Sequence, residues 1–284
     1  MTRVRLTSGL GFYGDNWTPV LAAIEHGDVQ YVCSDHLAEL TLAILQKDRQ
    51  KDANAGFARD LLPMLTQLWP AASQRGVKFV LNAGGLNPEG AALALQDLFK
   101  KQGWRARIAV VTGDDVLHQI NDLQAKGETL THMDSGADIT KVRDELVFAN
   151  VYLGAQPIAQ ALAQGADIVI TGRVADAALF LGPLIHELGW AADDWDKLAQ
   201  GIVVGHLLEC SGQGAGGNGS VADRGEPSGA LHLAFRIAGR AGRGYLSAGV
   251  REYAGGTDDF CRYIPLDLDD RRNPARTGLG LRVN

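Results

Sequence analysis

Apolar residues form five short, nearly continuous runs along the chain, separated by segments with helical spacing. The runs span residues 4–10, 29–35, 77–84, 107–113 and 166–172, with sequences such as VKFVLNAG and ADIVITG. A continuous apolar pattern, rather than an alternating one, is typical of strands covered on both faces, as in a parallel sheet. We therefore predict five buried, parallel strands.

The segments between these strands carry the end signals of helices. The segment 88–103 begins with Pro88 and closes with two lysines and Gly103, so both ends of this helix are marked. The other predicted helices span residues 37–48, 57–76, 155–165 and 174–190. Strands that alternate with helices predict an α/β fold with a doubly wound, mainly parallel sheet and helices on both faces.

The C-terminal part of the chain differs in composition. Residues 220–284 contain 10 Arg, 10 Gly and no Lys, whereas residues 1–219 contain 9 Arg and 8 Lys. We predict an α/β domain over 1–219 and a Gly/Arg-rich tail over 220–284. This tail is expected to be irregular or weakly ordered, with at most short strands such as residues 244–254. A shifted reading frame is one hypothesis for the change, and sequencing the gene across codon 219 tests it.

Composition excludes several classes of protein. The 284 residues are 46% hydrophobic and carry a net charge of -6, which permits a large core and disfavours nucleic-acid binding. No apolar run reaches the roughly 18 residues of a membrane-spanning helix, and we identify no signal peptide. Three widely separated cysteines fit a reducing compartment. We expect a cytoplasmic protein that binds neither nucleic acid nor membranes.

Nearly every predicted strand is followed by Gly, Asp, Asn or Arg. Because the carboxyl ends of parallel strands share one edge of the sheet, these residues are expected to line a ligand crevice there. The alternative is that they only make turns and helix caps.

The segment NAGGLNPEG, which follows the third strand, is a candidate anion site. The backbone amides of Gly84, Gly85 and Leu86 are predicted to form a nest, with Asn82 and Asn87 as polar neighbours. A plain strand-to-helix turn is the alternative. The segment GFYGD suggests a loop that closes over a ligand through three further candidates for ligand binding: Gly11, Gly14 and Asp15.

Carboxylates follow two other strands. Asp114 and Asp115 are adjacent, an arrangement that either holds a divalent cation, supplies a general base or caps a helix. Asp35 lies one helical turn before Glu39 and is either a site residue or a cap. No HExxH or CxxC spacing is present, so we predict no structural zinc site. We assign no residue as a definite metal ligand and leave the cofactor open, a divalent metal included.

The segment TGRVAD carries the most specific signal. Arg173, at the mouth of the crevice, can bind a carboxylate or phosphate with two hydrogen bonds. Asp176 either joins the site, pairs with Arg173 or caps the next helix. We interpret His186 as a helix-end residue and Cys210 as a buried thiol.

These segments resemble the acyclic terpene utilisation protein AtuA family. The shared motifs occur in the family's order over residues 5–218: GFYGD, SDHLAELTLAIL, NAGGLNPEG, GDD, ANVYLGAQPIAQAL, ADIVITGRVADAAL, LGPLIHELGW and GHLLEC. The resemblance implies a role in the breakdown of acyclic terpenoids such as citronellol and geraniol, beside enzymes that handle acyl-CoA thioesters. The IGYPIAE-like and KPxGTGG-like stretches that continue the family pattern are absent from this sequence.

From the resemblance we expect lyase, hydratase or hydrolase chemistry on a branched acyl-CoA or a related anionic small molecule. Arg173 would anchor a carboxylate, the amides of Gly84 and Gly85 would stabilise an oxyanion, and Asp114 or Asp35 would act as base or metal ligand. The alternative is a non-catalytic accessory or binding subunit. The expected partners are a second copy of the chain and an acyl-CoA carboxylase-type enzyme of the pathway.

Overall fold

The computed structural model describes residues 3–212 in full, together with the backbone of residues 231–240, 243–252 and 261–263. All five predicted strands are present, each shorter than its apolar run. They are β1 (Arg5–Ser8), β2 (Tyr31–Ser34), β3 (Lys78–Leu81), β4 (Ile108–Val111) and β5 (Ile168–Thr171). These five strands are parallel and adjacent in the order β4-β5-β3-β2-β1, which confirms the predicted α/β fold.

Eight α-helices connect or follow these strands in the described residues. They are α1 (Thr18–His26), α2 (Glu39–Lys51), α3 (Leu61–Arg75), α4 (Pro88–Gln102), α5 (Ile120–Ala125), α6 (Gln156–Ala163), α7 (Ala178–Leu188) and α8 (Trp195–Glu209). Five of them match predicted helices, whereas α1, α5 and α8 were not predicted. Three short 3-10 helices span Leu117–Gln119, Ile139–Lys141 and Arg143–Glu145.

The sheet separates two hydrophobic cores, because strand side chains alternate between its faces. Phe79 and Leu81 of β3 pack with α1, α3 and α4 on one face. Val80, between them, packs with α6, α7 and α8 on the other. Helices therefore cover both faces of the sheet, as predicted.

The connections that follow the neighbouring strands β3 and β5 lie on opposite faces of the sheet. After β3 the chain enters α4 on one face, and after β5 it enters α7 on the opposite face. In open α/β sheets, the gap between two strands whose connections leave on opposite faces is the usual ligand crevice. The expected ligand crevice therefore lies beside the residues that follow β3 and β5.

Part of the tail adds strands to this sheet. β6 (Leu231–Arg240) pairs antiparallel with β1, and β7 (Arg243–Glu252) and β8 (Cys261–Tyr263) follow it in antiparallel order. The predicted strand at 244–254 corresponds to β7, whereas β6 and β8 were not predicted. The rest of the predicted irregular tail lies outside the described residues. Within those residues, no helix is long and apolar enough to cross a membrane.

Candidate functional site

The chain leaves β2 through a buried carboxyl group. Asp35 is 4% exposed, and its Oδ1 accepts hydrogen bonds from Nδ2 of Asn82 at 2.6 Å and from the amide of Leu37 at 3.1 Å. Oδ1 of Asn82 in turn accepts the amide N–H of His36 at 2.6 Å. Asn82, the residue after β3, thus fixes the exit of β2 and the position of the Asp35 carboxyl.

The chain leaves β5 through a buried guanidinium. Nη1 of Arg173 donates to the carbonyl of Leu37 at 2.9 Å and to Oδ1 of Asp176 at 2.8 Å. The guanidinium carbon lies 4.1 Å from the centre of the Tyr152 ring, and Tyr152 is hydrogen-bonded to Glu39 at the start of α2. Arg173 therefore joins the exits of β2 and β5 and orients Asp176.

Asp114, after β4, holds the backbone of this turn. Its Oδ2 accepts the amide of Arg173 at 2.7 Å and Nδ2 of Asn150 at 2.8 Å. A side chain at position 172 would clash with it, because a Cβ on Gly172 would lie 2.6 Å from the Asp114 carboxyl carbon. The Asp114 carboxyl is therefore engaged in positioning Arg173, and its role as a general base or metal ligand stays a prediction.

The third carboxyl group comes from the end of α8. Glu209 is 7% exposed. Glycine at position 205 lets α8 approach the start of α7, because a Cβ there would lie 2.5 Å from the carbonyl oxygen of Ala177. The β1 exit packs on the same helix end, where a Cβ on Gly11 would lie 2.5 Å from the carbonyl oxygen of Cys210.

Asp35, Asp176 and Glu209 together form what we call the carboxyl cluster. One oxygen from each group lies within 4.8 Å of the oxygens of the other two. Burial, and then the charge of Asp176, raises the pKa of Asp35 to about 7. The same two causes raise the pKa of Glu209 above its ordinary value. The cluster is therefore a place where negative charge is crowded and poorly hydrated.

A second pair of buried groups, His36 and Asp60, holds the loop that follows β1. Nδ1 of His36 lies 3.1 Å from Oδ1 of Asp60, and Oδ2 of Asp60 accepts the amide of Gly14 at 3.0 Å. Burial alone would raise the pKa of Asp60, but the hydrogen bonds from His36 and Gly14 outweigh it and lower that pKa. This pair fixes the loop that follows β1.

The predicted anion nest after β3 has no amide left for a ligand. The N–H groups of Gly84, Gly85 and Leu86 donate at 3.0, 3.2 and 2.8 Å to the carbonyls of Thr171, Asn82 and Gly56, respectively. These amides build the turn, so an oxyanion would have to replace a hydrogen bond within the chain, and that role stays a prediction. The partners of Gly84 and Leu86 come from distant segments, so the sequence pattern alone did not reveal them.

Asn87 caps α4, and its contact with a ligand stays a prediction. Its Oδ1 accepts the amide of Gly90 at 3.0 Å, and its Nδ2 donates to the carbonyls of Asn54 and Ala55. This is the strand-to-helix turn that was the alternative interpretation. The structure thus separates the two asparagines of one motif, since only Asn82 contacts the carboxyl cluster.

The loop after β1 reaches the cluster through one of its three candidate residues. Gly11 packs against the end of α8, and its amide donates to Oδ2 of Asp15 at 3.1 Å. Gly14, with a φ of +86°, turns toward Asp60. These contacts shape one wall of the site, and their role in ligand binding stays a prediction.

Asp115 lies apart from the cluster. Its Oδ1 accepts the amide of Leu117 at 3.0 Å, and it lines a cavity of about 220 Å³ with residues of α2, among them Gln46 and Arg49, and with Phe148. None of the three cluster residues lines this cavity. The two neighbouring aspartates predicted to act together are therefore divided between two places.

The cysteine and histidine near the cluster do not form a nucleophile–base pair in the described residues. Burial, and then the neighbouring Glu209, raises the pKa of the Cys210 thiol to about 11, which disfavours the reactive thiolate. Nδ1 of the exposed His206 lies 3.5 Å from Oε1 of Glu209. Position 186 lies in the last turn of α7, as interpreted from the sequence.

Sequence reasoning found two of the three cluster carboxyls and missed Glu209. The signal that points to it is the pair Gly201 and Gly205, four residues apart in an apolar segment. Such spacing puts both glycines on one helix face and predicts close packing there. The spacing does not specify which part of the chain packs on that face, so the position of Glu209 beside the strand exits follows only from the structure.

Comparison with known proteins identifies the family of the chain. The model of the acyclic terpene utilisation family protein AtuA matches residues 4–257, past the end of the resemblance at residue 218. No curated protein and no solved structure matches significantly.

Proposed function

Because this chain belongs to the acyclic terpene utilisation family, AtuA, we propose that it is an enzyme of terpenoid breakdown. Its substrate is a branched acyl-CoA or a related anionic small molecule. The reaction is of the lyase, hydratase or hydrolase class, in which a proton moves next to a carbonyl or to and from water. The carboxyl cluster is the reaction centre.

The single observation that carries this proposal is the convergence of the cluster at the strand exits. Its carboxyl groups come from the exit of β2, the exit of β5 and the end of α8. Crowding like charges in a buried place costs stability, and carboxyl groups with shifted pKa values concentrate at functional sites. Positioned carboxyl groups are common proton donors and acceptors in catalysis.

The role proposed for Arg173 changes from the sequence expectation. Its Nη1 is bonded to Leu37 and Asp176, and the residue is only 3% exposed. We therefore assign it to orient Asp176 and to offset the repulsion within the cluster. A substrate carboxylate would have to displace these contacts in order to bind it.

Turnover of acyl-CoA thioesters tests the proposal. Purified protein is incubated with branched and linear thioesters, and the products are identified by mass spectrometry. Asp176→Asn should lower kcat/KM for the active thioester by about 100-fold or more, since it removes a positioned carboxyl group. Asp97→Asn, the same change at an exposed position of α4, should retain full activity. Wild-type activity in Asp176→Asn would reject the carboxyl cluster as the reaction centre.

The apolar surface of α8 favours a second candidate, an accessory subunit. Trp195, Ile202, Val203 and Leu207 are 72%, 49%, 40% and 41% exposed. Exposed apolar patches mark interaction surfaces, here for a second copy of the chain or for a pathway enzyme. No turnover of any thioester, combined with self-association that Ile202→Glu abolishes in light scattering, would favour this candidate.

A further inference from the structure

The carboxyl cluster has the spacing of an oxygen-ligand metal site. One oxygen each from Asp35, Asp176 and Glu209 lies within 4.8 Å of the other two. Oxygens on opposite sides of an ion are about 4.8 Å apart for Ca²⁺ and about 4.2 Å apart for Mg²⁺, twice the metal–oxygen distance. We propose that these three side chains bind one hard divalent cation.

The charge balance supports a cation at this place. With all three carboxyl groups ionised, Arg173 is the one arginine or lysine among the described residues that forms an ion pair with the cluster, through Asp176. Two negative charges then stay without an arginine or lysine partner, and a buried carboxyl group in this position either takes up a proton, pairs with a cation or binds a metal. A divalent cation supplies the missing charge.

An unpartnered hydroxyl lies on the same face of the sheet as Asp35. Ser8, the last residue of β1, is 5% exposed, and its Oγ has no hydrogen-bond partner among the described residues. Ser8 pairs in register with Cys33, two residues before Asp35, so strand alternation puts Ser8 and Asp35 on the same face. A water molecule bound to the cation would satisfy this hydroxyl.

The end of α8 brings Glu209 over that face. The hydroxyl of Ser211 donates to the carbonyl of Gly9 at 3.0 Å, so the residues just after Glu209 are tied to the residue just after Ser8. Nε of Arg173 is also buried without a hydrogen-bond partner in the described residues. An oxygen held by the cation, from water or substrate, would accept this N–H.

The ligand set selects the class of ion. The cluster offers carboxylate oxygens and a nearby hydroxyl, which are ligands preferred by Mg²⁺, Mn²⁺ and Ca²⁺ rather than by Zn²⁺ or Cu²⁺. The proposal names a cofactor for the centre described under the proposed function and rests on that same centre. Its test measures binding, not turnover, so the two proposals can fail separately.

Calorimetric titration with MnCl₂, MgCl₂ and CaCl₂ after removal of metals with EDTA tests the site. The wild-type chain should bind one equivalent of at least one of these ions. Asp176→Asn and Glu209→Gln should each weaken binding by about 10–100-fold, the range for disturbed metal sites. The control Asp97→Asn should bind as the wild type does. Ser8→Ala, which keeps the three ligands, should weaken binding less than the ligand variants.

Two results would overturn the proposal. The first is no saturable binding of any of the three ions at millimolar concentration. The second is unchanged binding in Asp176→Asn. Asp176 is only partly buried, so this isosteric change should keep the fold intact, which circular dichroism checks. This second result decides the question even if Glu209→Gln fails to fold.

Discussion

The exits of β3 and β5 look alike in sequence but serve different purposes in the structure. Both follow buried strands with glycine and polar residues, in NAGGLNPEG and TGRVADAA. After β3, the amides of Gly84 and Gly85 are bonded within the chain, and Asn87 caps α4. After β5, Arg173 and Asp176 join a cluster whose charge is not balanced within the described residues. Polar residues at a strand end therefore indicate a site only where their charge or hydrogen-bonding groups are not satisfied by other parts of the protein.

The largest effect that we predict is a loss of stability on substitution of Gly85, in the turn after β3. Its φ is +56°, and a Cβ there would lie 2.7 Å from the carbonyl oxygen of Gly56. Gly85→Ala should lower the free energy of unfolding by about 3 kcal/mol through backbone strain and overpacking. Urea denaturation measures the change.

Gly76→Ala is the matched control for that variant. Gly76 has a φ of +66°, but a Cβ there would meet no atom within 4 Å. Gly76→Ala should therefore lower the free energy of unfolding by only about 1 kcal/mol, because of the unfavourable φ alone. Equal losses in the two variants would show that the turn after β3 is not tightly packed.

A smaller effect is expected at Asp114. Asp114→Ala leaves the buried amide of Arg173 without an acceptor, which should lower the free energy of unfolding by about 2 kcal/mol. Metal binding and turnover should also fall, because Arg173 and Asp176 lose their support. Asp115→Ala removes one partly buried hydrogen bond and should change stability by about 1 kcal/mol or less. Equal effects of the two substitutions would argue that the aspartates share one role.

The smallest predicted effect on stability concerns the two asparagines of the motif NAGGLNPEG, Asn82 and Asn87. Asn87→Ala removes a helix cap and should cost about 1 kcal/mol of unfolding free energy, with metal affinity unchanged. Asn82→Ala frees the Asp35 carboxyl and should weaken metal binding. Denaturation and calorimetry of both variants check this. A loss of metal affinity in Asn87→Ala would place that residue in the site.

The sequence was sufficient for the frame of the fold. Continuous apolar runs identified all five parallel strands, since a strand buried on both faces has a local signature. Helix α8 was missed because its apolar side is partly exposed and its segment contains two glycines. The antiparallel strands β6 and β8 were missed because apolar and polar residues in the tail do not alternate with a clear period.

The site was predictable only in part, because its assembly depends on distant segments. Asp35 comes directly after β2, and Arg173 and Asp176 lie in the turn that follows β5. The shared edge of a parallel sheet therefore brings them together. Glu209 arrives by helix packing, which no local pattern specifies. The Gly84 amide looked available because its acceptor, Thr171, is almost ninety residues away in sequence.

The most direct test of the central claim is an anomalous difference map from crystals soaked in MnCl₂. The account predicts one strong peak between the carboxyl groups of Asp35, Asp176 and Glu209, absent from crystals of Asp176→Asn. The central claim is that uncompensated negative charge at the exits of β2 and β5 marks the functional site. No peak at the cluster, or a peak only at the turn after β3, would contradict it.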